Sequence, residues 1–326
     1  MSERNGVVPG KDMATDDAVL TDGPGTTSNG EPGGVRFPQA EHTEPRPDGA
    51  APGYRARHTL PLRVELARQL RRRRTQLTLG FLAALPFLLL LAFELGTDEN
   101  GPRSGGLVDL ATASGLNFVM FTLFASANFL LVVVVALFFG DTVASEASWS
   151  SLKYLLAIPV PRHRLLRQKA VVSALLALFG LVLLPTVSLG IGLIWYGSGD
   201  LVTPTGEAIG LGSGVARLAL AVCYLAVHLS WVAGLALLLS VSTDAPLGAV
   251  GGAVLASILS QILDSITALE DLRDYLPTHY ATAWSNLLSG EVDWTDMAQG
   301  AFSAVTYAAV FMLWAGRRFT RKDITS

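Results

Sequence analysis

Side chains able to do chemistry are few in this chain, and their spacing is the first constraint on its function. The five histidines, His42, His58, His163, His228 and His279, show no metal-ligand spacing, and the single cysteine, Cys223, has no second cysteine to pair with. Cys223 lies in an apolar run, where a lone cysteine reads as a small packing residue. No G-x-S-x-G nucleophile elbow occurs. The spacing nearest to a phosphate loop, GTTSNG at Gly25–Gly30, is followed by Glu31 where the phosphate-binding lysine belongs. The stretch GLGSGV at Gly210–Val215 lacks the last glycine of a dinucleotide fingerprint and follows no strand. These patterns offer no catalytic residues, no metal site and no nucleotide or cofactor site within the chain.

What remains is a set of polar groups inside apolar runs, where ionisable side chains are costly and mark function or packing. Asn128, His228 and Asp264 are these residues. Each fits one of two roles, a hydrogen bond between neighbouring helices or a place along a translocation path. His228 sits near the middle of its run and Asp264 near the end of its own.

The elements that hold these residues follow from composition. Hydrophobic residues make up 50% of the 326 and charged residues only 16%, a balance that excludes an ordinary soluble globule. A bilayer core of about 30 Å needs about 20 apolar helical residues. Six stretches meet that requirement, about 76–95, 117–140, 170–196, 215–241, 246–266 and 299–316. The fifth is rich in Gly, Ala and Ser, which suits close helix packing. Arg71–Arg74 precede the first span, Lys153, Arg162, Arg164, Arg167 and Lys169 fill the second connection, and Arg317, Arg318, Arg321 and Lys322 follow the last. The alternate connections are nearly free of Arg and Lys, so the positive-inside rule places both termini in the cytoplasm.

Leu62, Leu66 and Leu70 make an apolar stripe on a basic segment, which reads as an interfacial helix or as a plain stop-transfer cluster. Residues 1–58, with nine glycines and seven prolines, are expected to be a disordered cytoplasmic tail. Residues 59–322 then form the membrane domain, with a cytoplasmic loop at 141–169. The outer connection 267–298 carries Leu269, Leu272 and Leu276, and then Tyr280, Trp284, Leu287 and Leu288. That pattern predicts two short amphipathic helices lying flat or re-entrant at the outer interface. The fold class is an all-α membrane protein of six transmembrane helices with a preceding interfacial helix.

The loop reads SEASWSSLKYLLAIPVPRHRLLRQK. With the order of spans around it, it resembles the permease subunit of an ABC type-2 transporter, an exporter-like class. That family's loop runs from a glutamate through Gly-Thr-Leu and a leucine-rich turn to Pro-Val-Ser-Arg, a leucine pair and a lysine. Here Glu146 matches the glutamate, while Leu152, Leu155 and Leu156 match the apolar turn. Pro159, Val160 and Arg162 match the next element, Leu165 and Leu166 the pair, and Lys169 the lysine. Ser150 and Ser151 depart from Gly-Thr, and Pro161 from the usual serine. The resemblance covers roughly residues 60–320.

It implies a multi-pass subunit of the bacterial plasma (inner) membrane, itself not an enzyme. The loop would be a coupling helix docked on a separate ABC ATPase that holds ATP and Mg. A second permease copy, or a homologous permease, and membrane lipids would be the other partners, and no nucleic acid is implied. Two rivals stay open. One is an integral-membrane lipid-modifying enzyme using His228 and Asp264, and the other a non-transporting membrane scaffold.

Overall fold

Apolar runs in a bilayer have one economical solution, the helix, because every backbone N–H and C=O must find a partner within the segment. The computed structural model describes residues 61–96, 107–148, 161–203, 206–289 and 292–321, all within the unit Glu44–Ser326. Helix α1 (Leu62–Leu70) precedes α2 (Arg73–Gly96). A short α3 (Leu107–Ala111) leads into α4 (Gly115–Ala127) and α5 (Leu130–Ser148). Next come α6 (Arg162–Trp195) and two short antiparallel strands, β1 (Leu201–Val202) and β2 (Ala208–Ile209). Helices α7 (Leu211–His228), α8 (Ser230–Ser242), α9 (Pro246–Asp264) and α10 (Thr295–Arg321) complete the chain. Two 3₁₀ segments, Thr267–Tyr275 and Ala283–Leu288, lie between α9 and α10.

Among the described residues, six helical stretches, counting Leu211–Ser242 as one, are long and apolar enough to cross a membrane, so this is a mostly helical, multi-pass membrane protein. The tail 1–58 and the loop residues Leu152, Leu155, Leu156 and Pro159 lie outside the described residues.

Helix ends depart from the hydropathy boundaries in an informative way. Helix α5 continues to Ser148 and α6 begins at Arg162, so most of the stretch 141–169 assigned to a loop is helix outside 149–161. Hydropathy marks where charges begin, not where a helix stops. At 1.5 Å per residue the 34 residues of α6 span about 51 Å, well beyond the hydrocarbon core. Its basic first turns therefore have room outside the core.

The second apolar stretch is two helices, interrupted at Asn128 and Phe129, and the fourth is interrupted at Leu229. Leu130–Ser148 and Leu211–Ser242 are buried along most of their lengths, whereas the other four spans present most of theirs outward. The interrupted helices are thus the centre of the bundle. Helix α8 packs on α5, α9 and α10, and α6 packs on α4, α5 and α2.

Polar groups pin this centre. Ser240 Oγ on α8 accepts hydrogen bonds from the backbone N–H of both Val143 and Ala144 on α5, each at 3.0 Å. Ser240→Ala is expected to cost about 1 kcal/mol, since α8 loses both of its hydrogen bonds to the α5 backbone. Thermal unfolding in detergent against wild type checks this, with an intact far-ultraviolet spectrum as the control for helix content. On the other side of the bundle, the Asn117 amide acts as an extra strand partner. Its Nδ2 donates to the Val202 carbonyl at 2.7 Å and its Oδ1 accepts from the Val202 N–H at 2.9 Å.

The connection 267–298 does hold two short helical segments, but they differ in burial. Thr267–Tyr275 buries none of its residues, and Leu272 is exposed. In contrast Trp284, Leu287 and Leu288 are fully buried, with the Trp284 ring 4.4 Å from that of Phe124 on α4. The second segment is a plug in the bundle.

Candidate functional site

The end of the bundle where α2 and α6 start and α5 and α10 finish is the basic end, and it gathers most of the charge. Helices α5 and α6 run antiparallel, so a step of four forward on one meets a step of four back on the other. Thr142 Oγ1 lies 2.6 Å from Ser173 Oγ, and one turn further Glu146 Oε1 lies 2.5 Å from Lys169 Nζ. Both members of the ion pair are almost wholly buried. A bonded hydroxyl pair followed by a buried ion pair therefore closes the stem from which the connection 149–161 emerges. Ser173 adds a hydrogen bond to the Phe138 carbonyl at 2.8 Å.

Helix α1 is fastened across this stem. Arg68 Nη2 reaches Glu146 Oε1 at 3.0 Å and Glu65 Oε1 at 2.6 Å, and its Nε reaches Glu65 Oε2 at 2.9 Å. Gln69, itself buried, donates to Glu65 Oε1 at 3.2 Å. Beside it Asp141 holds Arg74 at 2.7 Å and Arg72 at 3.6 Å. The four groups Glu65, Arg68, Glu146 and Lys169 thus form one alternating network from α1, α5 and α6.

Electrostatics follow from the contacts. Burial alone would raise the Glu65 carboxyl, but the Arg68 hydrogen bond and the Lys169 charge outweigh it and hold it below the ordinary 4.5. The hydrogen bonds that Arg68 donates to Glu65, ahead of the opposing effect of burial, raise its guanidinium further above its usual value. A carboxyl lowered on folding contributes stability that is complete above its unfolded value and lost as pH falls through the folded one. Protection of the 62–70 amides from hydrogen exchange, corrected for intrinsic rate, is therefore expected to be full at neutral pH and to weaken as the pH falls below the ordinary Glu value of 4.5.

Among the matched loop residues, Glu146 and Lys169 bind one another. Arg162, in the first turn of α6, donates from Nη1 to the Thr320 carbonyl at 3.2 Å, which joins the loop exit to the last turn of α10. A cation there also meets the negative end of the helix. Leu165 and Leu166 are buried in the core. Sequence reasoning places Arg68 and Asp141 in no site, and it misses the register partners Thr142 and Ser173. Their signal is a polar residue one turn from each charged one, on both helices.

The three residues considered for a path are apart in role. His228 is buried, stacks on Tyr224 with ring centroids 5.7 Å apart, and its Nδ1 has no hydrogen-bond partner among the described residues. Tyr224 in turn donates to the Tyr280 carbonyl at 2.6 Å, tying the connection between α9 and α10 to α7. Asn128 is exposed at the interruption of the second stretch, and its carbonyl accepts from Gln261 at 3.0 Å. Asp264 Oδ1 lies 2.6 Å from His279 Nδ1, while His279 Nε2 lies 3.2 Å from Asp274. No hydrogen bond or ion pair joins Asn128, His228 and Asp264 to each other among the described residues.

A family profile matches residues 105–325, from just before α3 through α10. The chain belongs to DUF2705, a family described as proteins of unknown function. This DUF2705 protein has no match among curated proteins. The matched region includes both walls of the α5–α6 stem together with Asn128, His228 and Asp264, whereas α1 and α2 precede it.

Proposed function

We propose that this DUF2705 protein is the membrane-spanning subunit of an ATP-driven transporter, similar to ABC type-2 permeases. A separate ATPase would dock on the connection 149–161 and supply the energy. Both termini would face the cytoplasm, and the subunit would work in the bacterial plasma membrane beside a second permease copy or a homologous one. Export is the favoured direction.

The observation that carries this reading is the closed stem. A docking loop transmits force only if its two ends are held, because a slack connection would absorb the motion. Here the Glu146–Lys169 pair joins the helix entering the connection to the helix leaving it, and Arg68 ties α1 to the same point. Arg162 adds the end of α10. A displacement of the loop would thus be felt by α1, α5, α6 and α10 together. In this reading the Leu152, Leu155 and Leu156 face fills a groove on the ATPase, and Pro159 ends it.

The lipid-enzyme alternative would need His228 and Asp264 to act on one substrate. Asp264 is engaged by His279 at the end of α9, whereas His228 is enclosed within the bundle. Neither geometry favours that alternative.

The test is co-purification with ATPases encoded beside this chain. Wild type is expected to bind one and raise its ATP turnover, and Leu155→Ser with Leu156→Ser is expected to lower both by about tenfold while the protein still folds. Undiminished binding by the double variant would sink the docking assignment.

A further inference from the structure

At the basic end, α10 and the last turn of α8 line a half-open cavity of about 760 Å³. Its wall on α10 is a single stripe, Val310, Leu313, Trp314, Arg317, Arg318 and Arg321, completed by Val241 and Ser242 of α8. The stripe changes character along its length of about 16 Å. It is apolar at Val310 and Leu313, aromatic at Trp314 and cationic over the last turn. Val310, Leu313 and Trp314 are all more than half exposed, so the apolar part opens toward the hydrocarbon of the bilayer.

The arginines of this stripe lack the carboxylate partners that some others at this end have. Arg68, Arg72 and Arg74 are each matched by Glu65, Glu146 or Asp141. Among the described residues, Arg317, Arg318 and Arg321 form no ion pair. Three guanidinium groups close together repel one another unless an anion answers them. Guanidinium binds phosphate oxygens in pairs, through two parallel hydrogen bonds.

We propose that this cavity binds a phospholipid with an anionic headgroup. The phosphate would sit against Arg317, Arg318 and Arg321. Trp314 would lie at the level of the glycerol, where indole rings collect at membrane interfaces. An acyl chain would run along Leu313 and Val310. The gradient from apolar to cationic along one wall is what selects a lipid over a free anion, which has no use for the apolar half. Basic cavities between helices at a membrane face are suited to acidic lipids on the same grounds. This inference does not depend on the transport reading.

The experiment reads Trp314 fluorescence as the difference between wild type and Trp314→Phe. The full-length protein is reconstituted in phosphatidylcholine vesicles containing a small fraction of brominated lipid. Brominated phosphatidylglycerol is expected to quench Trp314 about tenfold more effectively than brominated phosphatidylcholine, the order that three arginines facing an anionic lipid should produce. Trp195, exposed at the opposite end of α6, reports the surrounding bulk lipid and should show no such preference. Arg318→Gln, which leaves two arginines in place to hold the topology, is expected to lower the preference by about fivefold.

Equal quenching by the two lipids in the wild type would overturn the proposal without any variant. Inorganic phosphate in large excess should leave the preference standing, and its removal by phosphate would assign the cavity to a free anion instead. If neither brominated lipid quenches Trp314, protein covers the cavity and the proposal fails.

Discussion

Replacing Lys169 with methionine is expected to destabilise the protein by about 3 kcal/mol, because it leaves the Glu146 carboxylate buried without its closest counter-charge. Both side chains of the pair are only 4% exposed, so water cannot take over the lost interaction. Removal of one partner of a buried pair typically costs about 3–5 kcal/mol. The lower end applies here because Arg68, about half exposed, still reaches Glu146 at 3.0 Å. The double variant Glu146→Gln with Lys169→Met removes both charges and should recover to within about 1 kcal/mol of wild type, as hydrophobic or neutral replacements of buried pairs often do. Unfolding in detergent, followed for the two singles and the double, completes the cycle. A single variant as stable as wild type would mean that the pair is not buried in solution.

The same double variant separates stability from transmission. It should fold, yet its stem would lose the ion pair and keep the hydrogen bonds of Ser173 to Thr142 and Phe138, a turn or more away. On the coupling account it should bind the ATPase and stimulate it weakly.

The second large effect is expected at Gly192, where α6 meets the start of α4. A Cβ placed on Gly192 would lie 2.8 Å from the Gly115 carbonyl oxygen and 2.9 Å from its Cα, and one on Gly115 would lie 2.8 Å from the Gly192 carbonyl carbon. These neighbours are backbone, so no rotamer change relieves the clash. The Gly115 N–H is moreover bound to the Gly197 carbonyl at 3.1 Å, which limits any shift of α4. Gly192→Ala should cost about 2 kcal/mol, and larger side chains more, as overpacking in a well-filled core does. Gly190, two residues away, is different, because a Cβ added there would meet nothing within 4 Å. Gly190→Ala should therefore be neutral or stabilise by up to about 1 kcal/mol. Comparing the two alanine variants by thermal unfolding tests the close approach of α4 and α6 without reference to function.

The membrane character of the fold was legible because hydropathy reports solvent, and a bilayer imposes its thickness on every span. The interruptions at Asn128–Phe129 and at Leu229 were not, since neither contains the proline or glycine that usually announces one. Pro86 and Pro185, which do announce one, sit inside continuous helices. Glu146 and Lys169 stand out in the sequence, but as residues displayed to a partner. Their burial against each other depends on the antiparallel register of α5 and α6, and register is a property of two segments that neither shows alone. Trp284 reads as an interfacial residue for a related reason. An amphipathic pattern shows which side chains are buried together, not whether lipid or protein covers them.

The central claim, that the connection between α5 and α6 receives force from an ATPase, is tested most directly by a photoreactive phenylalanine analogue at position 155. The membranes should contain the full chain at native level, and products should be identified by mass spectrometry after irradiation with and without ATP. The account predicts a crosslink to a subunit carrying a nucleotide-binding domain, with a yield that changes on adding ATP. Crosslinks confined to lipid or to this chain, with no ATPase captured in either state, would contradict it.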